Sequence, residues 1–265
     1  STITNKVLSL AEGVSSIEAG DNADFTEGFT VTRTEAGHPV QSFYGWVVDG
    51  IFQSNDEVSH AATQNDGTAA GDIRFRDNGD GVIDANDRVY LGSFLPKFTY
   101  SLNLHAGYKN FNLSVFFQGV QGNKIYNATK TALEGMIRFF NAGTQVLNAW
   151  TPTNTNTDIP RAASSDPNQN ARASTRFIED GSYLRMKNIR LSYAVPGNSL
   201  TSFLNGTFKG AEIYVAGQNL FTVTKYTGFD PEVGNRTPTS SLTNGIDYAV
   251  YPQPKGFQVG LNLNF

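Results

Sequence analysis

The composition of this chain of 265 residues is low in charge, at 17%, and rich in aromatic residues, at 12%, and it includes 26 glycines. This balance favours a β-rich fold with many turns. The absence of cysteine excludes disulfides and thiolate metal sites. A formal net charge of -4 gives no basic surface for nucleic acid, so no nucleic-acid partner is expected.

The N-terminal part of the chain is mostly polar and contains one aromatic run. Short alternation of apolar and polar side chains over residues 1–10 predicts the last part of a strand, and residues 11–29 predict a polar, acidic loop. Residues 43–52 are dense in aromatic and β-branched side chains, which fits either a strand or a packed loop. Residues 55–88 form a long polar connection.

An acidic stretch within this connection has the composition of a calcium-binding loop. Oxygen-bearing side chains at alternate positions, with a glycine at the sharp turn, are what a hard cation requires. Arg76 stands at the first ligand position, where it cannot bind a cation. The alternative is an acidic turn held by hydrogen bonds from its own backbone, and both remain open. The candidate calcium ligands are Asn78, Asp80, the carbonyl of Val82, Asp84 and Asp87.

The clearest strand pair in the sequence follows this connection. Apolar and polar side chains alternate from Phe98 to Gly107 and again from Phe111 to Phe117, with a very short link around Lys109. Two strands of about ten residues joined in this way predict a β-hairpin. Ten residues is also the length that a tilted strand needs to cross a bilayer.

The middle of the chain combines a long polar connection with a second strand region. Residues 119–175 are mostly polar, and the apolar spacing within residues 129–150 predicts a helix on that loop. Strand character returns over residues 177–195. The apolar positions there change from even to odd near Lys187 and Asn188, which predicts a β-bulge.

The last part of the chain repeats this alternation of strands and loops. Residues 196–210 predict a turn with an apolar patch at Leu200, Phe203 and Leu204, residues 212–224 a strand, and residues 226–254 a long loop. Residues 255–265 predict a closing strand with one apolar and one polar face. The apolar residues of that strand are Phe257, Val259, Leu261, Leu263 and Phe265.

The lengths of the connections indicate the architecture. They alternate long, tight, long, moderate and long, which places every long loop at one end of the strands, as in outer-membrane barrels. No run approaches the roughly 18 to 20 apolar residues of a membrane helix, so any crossing would use strands. Because the smallest membrane barrels have about eight strands, this chain is expected to be part of a larger one.

The alternation also predicts which side chains face lipid and which face the lumen. Side chains expected to face lipid are Phe98, Tyr100, Leu102, Leu104, Leu113, Val115, Phe117, Leu261 and Leu263. Side chains expected to face the lumen are Ser101, Asn103, Asn112, Ser114, Asn262 and Asn264.

Six blocks of this sequence carry a resemblance to a known family. They lie at residues 42–46 with 49–54, 71–84, 111–123, 176–188, 213–222 with 228–232, and 251–255. In content and order they resemble the C-terminal part of the SusC/RagA family of TonB-dependent outer-membrane transporters. The resemblance implies an all-β fold, the C-terminal portion of an antiparallel transmembrane barrel of about 22 strands with long extracellular loops.

The resemblance also implies a division of the chain and a set of partners. Residues 1–97 would hold a partial strand and an extracellular loop region with the calcium-like loop at residues 76–87, and residues 98–265 the barrel strands and loops. The plug and the TonB-contacting segment would lie in an N-terminal part outside this chain. The family's location is the bacterial outer membrane, in contact with lipid. Its partners are a SusD-like surface lipoprotein and the TonB complex, and it imports oligosaccharides or peptides.

Alternative functions remain open from the residues alone. A passive porin or a structural barrel would have the same strands, and a secreted β-sandwich carbohydrate-active enzyme is a remote alternative. No nucleophile elbow or zinc-protease motif is present, and His38, His60 and His105 are dispersed. We therefore expect no enzyme, no catalytic residue and no cofactor apart from calcium.

Loop aromatic and charged residues are the candidate substrate contacts. Aromatic rings in the loops can stack on sugars, but they pack their own loop more often. Glu179, Asp180 and Arg185 fit either substrate contacts or a charge network facing the lumen, and the network is favoured. The candidate aromatic residues are Tyr44, Trp46, Trp150, Tyr226, Tyr248 and Tyr251.

Overall fold

The computed structural model describes residues 1–137, 141–196, 210–234 and 241–264. The strands are β1 (Ser16–Ala19), β2 (Thr32–Glu35), β3 (Ser42–Gly45), β4 (Val48–Ile51), β5 (Ile73–Phe75), β6 (Val89–Ser93), β7 (Phe98–Tyr108), β8 (Phe111–Gln121), β9 (Lys124–Tyr126), β10 (Ile178–Asp180), β11 (Tyr183–Val195), β12 (Gly210–Gln218), β13 (Thr222–Thr224) and β14 (Gly256–Asn264). The helices are α1 (Asn55–His60) and α2 (Ala128–Glu134), and short 3-10 turns occupy Ala85–Asp87, Thr144–Asn148, Thr175–Phe177 and Ser241–Thr243. No helix in these described ranges has the length and apolar content to span a membrane.

The long strands form one antiparallel sheet. β7, β8, β11, β12 and β14 lie side by side in chain order, and β13 pairs with the start of β11. β7 and β8 are each 11 residues long. Tyr108 pairs with Phe111, which leaves a two-residue turn with Lys109 at a φ of 53°. The predicted hairpin is therefore confirmed.

The predicted bulge in β11 is also present. The pairing of β11 with β8 changes register between Met186 and Asn188, so Lys187 is the extra residue. On one side of the bulge Met186 lies opposite Phe117, and on the other side Ile189 lies opposite Val115. Because directly opposite residues share a face, the bulge keeps the apolar residues of both halves of β11 on the same side of the sheet.

The three long connections pack together at one end of the sheet, and we call them the loop assembly (residues 1–97, 122–182 and 219–255). β9, which follows β8, pairs with β10, which precedes β11. Phe43, Tyr126, Phe177 and Ile246 come from all three connections and lie in one buried cluster. A second cluster contains Trp46, Ile73, Phe75 and Ile83. The prediction that the long loops share one end of the strands is thus confirmed.

Several predicted elements differ from the structure within the loop assembly. Residues 11–29, predicted as loop, contain β1, because its pairing with β2 gives the backbone partners that local sequence does not reveal. Residues 43–52 lie in β3 and β4 rather than in one element. Residues 1–10 form an isolated bridge, Thr2 with Phe98, instead of a strand. The helix predicted within residues 129–150 is the shorter α2 followed by a 3-10 turn.

The strand predicted over residues 212–224 is divided in two. Asn219 has a φ of 51°, a left-handed conformation that asparagine tolerates better than most residues, and its backbone N–H donates to the Lys187 carbonyl at 3.2 Å. β12 therefore ends at Gln218, and β13 takes its place beside the first residues of β11. The apolar patch predicted at Leu200, Phe203 and Leu204, and the terminal Phe265, lie outside the described residues.

Candidate functional site: a sheet with two faces and its loop assembly

One face of the long sheet is apolar across its whole width. Directly opposite partners such as Leu113, Leu191, Val215 and Val259 form a continuous row over β8, β11, β12 and β14. Leu102 is 51% exposed and Val259 80% exposed, so no layer formed by the described residues covers the face. Water-soluble monomers rarely expose apolar patches of more than a few hundred Å². The face is therefore suited to contact with an apolar environment.

Aromatic residues lie at both ends of this apolar face, and aliphatic residues lie between them. Towards the loop assembly the outer residues include Tyr100, Phe117 and Phe257, and at the hairpin end they include Tyr108 and Tyr193. Eight residue steps from Tyr100 to Tyr108, at about 3.3 Å each, span about 26 Å along the strand, which at a tilt of about 40° gives a band roughly 20 Å tall. Membrane barrels have an apolar band of about this height between two aromatic girdles.

The side chains predicted to face lipid share this face, but two of them, Val115 and the half-buried Phe117, are less exposed than the others. Val115 is only 9% exposed, because Leu104 and Ile189 lie directly opposite it on the neighbouring strands and cover it. Phe116 is an apolar residue on the polar face, where it pairs with Asn103. The sequence pattern did not predict this position. The predicted side chains that are exposed on the apolar face are Phe98, Tyr100, Leu102, Leu104, Leu113, Leu261 and Leu263.

The opposite face is polar, and its charges are paired. The Arg190 guanidinium contacts the Glu212 carboxylate at 2.9 Å, and the Asn262 amide donates to the same carboxylate at 2.9 Å. Arg190 also lies over the Tyr214 ring, 4.2 Å from its centroid. The predicted residues Ser101, Asn103, Asn112, Ser114 and Asn264 belong to this face by register. A wall with these two faces can separate lipid from a polar lumen.

A buried charge cluster joins β11 to the loop of residues 226–234. The guanidinium of the buried residue Arg185 donates to Asp230 at 2.7 Å and to Glu232 at 2.6 Å. The Lys187 ammonium contacts Glu232 at 2.7 Å. Tyr183 donates its hydroxyl to Glu232 at 3.1 Å. Arg185 therefore belongs to a charge network, as the favoured interpretation predicted, although sequence did not identify its partners.

The hydrogen bonds of this cluster shift the pKa of the Asp230 carboxyl group. Burial opposes its ionisation, but hydrogen bonds from Arg185 and from the backbone of Gln253 and Glu232 outweigh burial and lower the pKa of Asp230. Because the pKa of Asp230 is lower in the folded chain than in the unfolded chain, its ionised carboxylate stabilises the fold at pH values above the unfolded pKa of about 3.9. This stabilisation is lost as the pH falls through the folded pKa.

We therefore expect the loop of residues 226–254 to open more readily at pH 3 than at pH 7, because the stabilisation that the Asp230 carboxylate provides weakens once the pH falls below its unfolded pKa of about 3.9. Hydrogen exchange of the loop amides at the two pH values would measure this. In Asp230→Asn the difference should shrink, since the titrating group is gone. Equal loop protection at both pH values in the unsubstituted protein would contradict the prediction.

Glu179 and Asp180 are not part of the Arg185 cluster. Glu179 accepts hydrogen bonds from the Asn127 amide at 3.0 Å and from the Thr227 backbone N–H at 2.8 Å. Asp180 accepts from the Ser182 hydroxyl at 2.6 Å. Both carboxylates therefore fix loop backbone close to the start of β11.

The candidate aromatic residues differ in whether a ligand could reach them. Trp46, Trp150, Tyr226 and Tyr248 are each less than a tenth exposed. Their polar atoms are bonded inside the chain, as in the 2.8 Å bond from Trp46 Nε1 to the Asp84 carbonyl and the 2.5 Å bond from the Tyr226 hydroxyl to Asp247. These four rings therefore hold the loop assembly together.

The two other aromatic candidates lie in different surroundings. The Tyr44 ring lies between the guanidinium groups of Arg33 and Arg88, at 4.8 and 4.9 Å from its centroid. Tyr251 is 89% exposed, and it remains a candidate for ligand contact. The sequence could not separate these cases, because burial depends on which distant segments pack over each ring.

The acidic loop is held by hydrogen bonds to its own backbone. Asp87, 4% exposed, accepts from the backbone N–H groups of Asn78 at 2.8 Å and Asp84 at 2.6 Å. The Asp80 carboxylate accepts from the Val82 backbone at 3.0 Å. Within the part of the chain that the structure describes, no three carboxylate, histidine or cysteine side chains converge in a way that could hold a metal.

This arrangement is that of an acidic turn held by hydrogen bonds to its own backbone. Neither neighbouring arginine neutralises the loop, because Arg76 pairs with Asp49 at 2.6 Å and Arg88 with Glu18 at 3.0 Å. Calcium binding by Asn78, Asp80, the Val82 carbonyl, Asp84 and Asp87 stays a prediction. Calorimetric titration with calcium, before and after Asp80→Ala, would test it.

Substitution Asp87→Ala is expected to loosen this loop by about 1 to 3 kcal/mol, because two backbone N–H groups lose their acceptor in a buried place. Limited proteolysis within residues 77–87 would measure the loosening. Asp80→Ala is the matched control, since Asp80 is exposed and water can replace its hydrogen bond to Val82. Equal cleavage of the two variants would contradict the role given to Asp87.

Comparison with known proteins places the chain in a family. No protein-family model matches it. TonB-dependent receptor P3 of Formosa agariphila is 36% identical over 98% of this chain, and TonB-dependent receptor SusC of Bacteroides thetaiotaomicron is 27% identical over 98% of it. The RagAB peptide importer in its open-open state has a chain that is 26% identical, with a TM-score of 0.72 over 98% of this chain. The chain belongs to the SusC/RagA family of TonB-dependent receptors.

The relatives also fix how much of a receptor this chain represents. The chain covers 26% of TonB-dependent receptor P3, 23% of SusC and 25% of the RagAB chain. It therefore spans about a quarter of a SusC/RagA receptor. The expected fold class, an all-β segment of a larger antiparallel barrel, is confirmed. These relatives are receptors and not enzymes, as the sequence predicted.

Proposed function

We propose that this chain forms part of the wall and the extracellular mouth of a TonB-dependent importer in the bacterial outer membrane. The observation that carries the proposal is the sheet of five long strands with one exposed apolar face and one polar face of paired charges. Such a wall is needed where strands cross a bilayer, since every backbone group bonds within the sheet. The loop assembly at one end would then surround the extracellular opening.

The rest of the receptor would supply what this quarter lacks. A plug and a TonB-contacting segment in the N-terminal part would close the lumen and couple opening to the energised inner membrane. A SusD-like lipoprotein would cover the mouth and deliver an oligosaccharide or a peptide. The similarity to the RagAB peptide importer supports the peptide class.

Uptake by cells that express the full-length receptor tests this proposal. The probes are a maltooligosaccharide mixture and a tryptic casein digest, each offered to cells with and without TonB. The expected result is a receptor in the outer-membrane fraction and uptake of one probe that disappears without TonB. Uptake that is equal in both strains would favour a passive porin. Recovery of the receptor in the soluble fraction would overturn the membrane assignment.

Capture of the partner tests the assembly separately. A tagged full-length receptor extracted in mild detergent is expected to retain a SusD-like lipoprotein. Truncating the exposed Tyr251 to alanine should leave the receptor folded, because 89% of that side chain is exposed and supports no core. Loss of uptake with retained lipoprotein in this variant would assign Tyr251 to substrate contact, and unchanged uptake would remove it from the candidates.

A further inference from the structure

A groove in the loop assembly has apolar sides with polar groups beside them. It has a volume of about 390 Å³ and lies between α2 and the loop of residues 226–234. Leu133 and Phe229 form its apolar sides, and they are 37% and 67% exposed. Lys130 and Gln145 provide polar groups at the same groove. A volume of this size accommodates one or two amino-acid side chains.

Phe229 is held in its exposed position by anchors on both sides. On the N-terminal side, Tyr226 donates to Asp247 at 2.5 Å, and the Thr227 backbone donates to Glu179 at 2.8 Å. On the C-terminal side, the next residue is Asp230, which pairs with Arg185 at 2.7 Å. An exposed aromatic side chain on a fixed backbone loses little entropy when a ligand packs against it. The ring is therefore preorganised for an apolar partner.

Most polar side chains of the groove are already satisfied within the chain. The Asn127 amide donates to Glu179 at 3.0 Å, and its carbonyl accepts from the Lys130 backbone at 3.0 Å. Thr129 accepts from the Ala249 backbone at 2.8 Å, and Glu134 pairs with Arg176 at 2.5 Å. These side chains therefore have few free hydrogen-bond donors or acceptors for a ligand.

Two polar side chains keep free donors. Over the described ranges, the Lys130 ammonium makes no direct ion pair, although the Glu134 carboxylate one turn along α2 lies within its electrostatic reach, and the Gln145 amide makes no side-chain hydrogen bond. A sugar ring in the groove would lose water from several hydroxyls and regain few bonds, which is costly. A peptide needs fewer hydrogen bonds in this groove, because its apolar side chain packs against the apolar sides. One carboxylate of the peptide is enough to pair with the Lys130 ammonium.

We propose that this groove binds an apolar side chain of an acidic peptide, with the side chain between Leu133 and Phe229 and a carboxylate of the peptide at Lys130. The inference rests on the proposed import function and names its substrate class. Gln145 would donate to the peptide backbone beside this contact. A binding assay on the purified receptor needs neither TonB nor uptake, so a failure of the import proposal would appear in the cell assay and not here.

The test measures binding of labelled nonapeptides to the full-length receptor in detergent. One probe is acidic with a single phenylalanine, a second has serine in place of the phenylalanine, and a third has glutamine in place of the acidic residues. Maltoheptaose serves as the sugar competitor. The receptor variants are Phe229→Ala and Lys130→Gln. The matched control is Leu147→Ala, because Leu147 is 87% exposed in the same assembly and does not line the groove.

The expected results are specific to each contact. Phe229→Ala should weaken binding of the phenylalanine peptide about 10-fold and leave the serine peptide unchanged, since only the first buries a ring against Phe229. Lys130→Gln should weaken both acidic peptides about 3- to 5-fold at low salt and leave the glutamine peptide unchanged. Leu147→Ala should bind all three like the unsubstituted receptor.

Four outcomes would overturn the proposal. The first is the absence of binding of the phenylalanine peptide up to millimolar concentration. The second is an equal loss for the phenylalanine and serine peptides in Phe229→Ala, which would indicate a structural role for the ring. The third is displacement of the peptide by maltoheptaose with the same dependence on Phe229, which would assign the groove to a sugar. Loss of the lipoprotein without loss of peptide affinity in Phe229→Ala would instead assign Phe229 to the partner interface and also contradict the proposal.

Discussion

Replacing Arg185 with alanine is expected to destabilise the loop assembly by about 3 to 5 kcal/mol, the cost of removing one partner from a buried ion pair. The guanidinium is 3% exposed and bonds Asp230 at 2.7 Å and Glu232 at 2.6 Å. Without it, two carboxylates face each other with only the Lys187 ammonium to neutralise them. The loop of residues 226–234 should then detach from β11.

Urea unfolding of the full-length receptor in lipid vesicles, followed by protease cleavage within residues 226–254, would measure this loss. Arg76→Ala is the matched control, because its pair with Asp49 is 62% exposed on the arginine side and is screened by solvent. Arg185→Lys should lie between the two, since it keeps a charge but not the fork of donors. Similar unfolding of Arg185→Ala and Arg76→Ala would contradict a structural role for the cluster.

What the sequence predicted well is what depends on neighbouring residues. The hairpin turn at Lys109, the bulge at Lys187 and the apolar face of β14 all follow from alternation over about ten residues, which the pleat of a single strand imposes. The change from even to odd apolar positions in β11 identified the bulge, because a bulge is a local insertion. The long sheet could therefore be predicted before any tertiary contact was known.

What the sequence did not predict depends on segments far apart in the chain. Arg185 meets Asp230 across 45 residues, and Arg161 bonds the buried Asp72 across 89 residues. Asn168 is fully buried and bonds the Gln64 amide at 2.5 Å and the Ile73 carbonyl at 2.9 Å. Nothing in the local pattern around these residues distinguishes them from solvated loop residues.

The dependence on contacts between distant segments also explains why only part of the candidate site could be predicted from the sequence. The blocks at residues 176–188 and at 213–222 with 228–232 were both noted for their resemblance to the family, but only the fold shows that Arg185 and Asp230 join them. The groove beside Phe229 was not foreseen, because Leu133 and Phe229 come from different connections. The sequence signal available for this groove was the Gly-Phe-Asp motif at Phe229, in which the aromatic residue stands next to the anchoring residue Asp230.

A positive charge on the apolar face should disturb the sheet far more than the same charge on the polar face. Leu102 is 51% exposed and lies between Tyr100 and Tyr108 along β7, within the aliphatic part of the face. Leu102→Arg is therefore expected to cost about 1 to 3 kcal/mol in a bilayer, between the cost at an interface and the cost at the midplane, because the guanidinium loses water inside the apolar band. Ser101→Arg is the matched control, since the adjacent residue of the strand points to the polar face.

Folding of the full-length receptor into lipid vesicles, with the folded fraction read as a function of urea concentration, would compare the two variants. We expect Leu102→Arg to unfold at clearly lower urea than Ser101→Arg, and the difference to shrink in detergent micelles, where the charged group reaches water more easily. In a water-soluble protein an arginine at a half-exposed surface position changes stability by about 0.5 kcal/mol or less. Equal urea midpoints for the two variants in vesicles would mean that this face does not meet lipid, because only a hydrocarbon environment separates adjacent residues of one strand in this way.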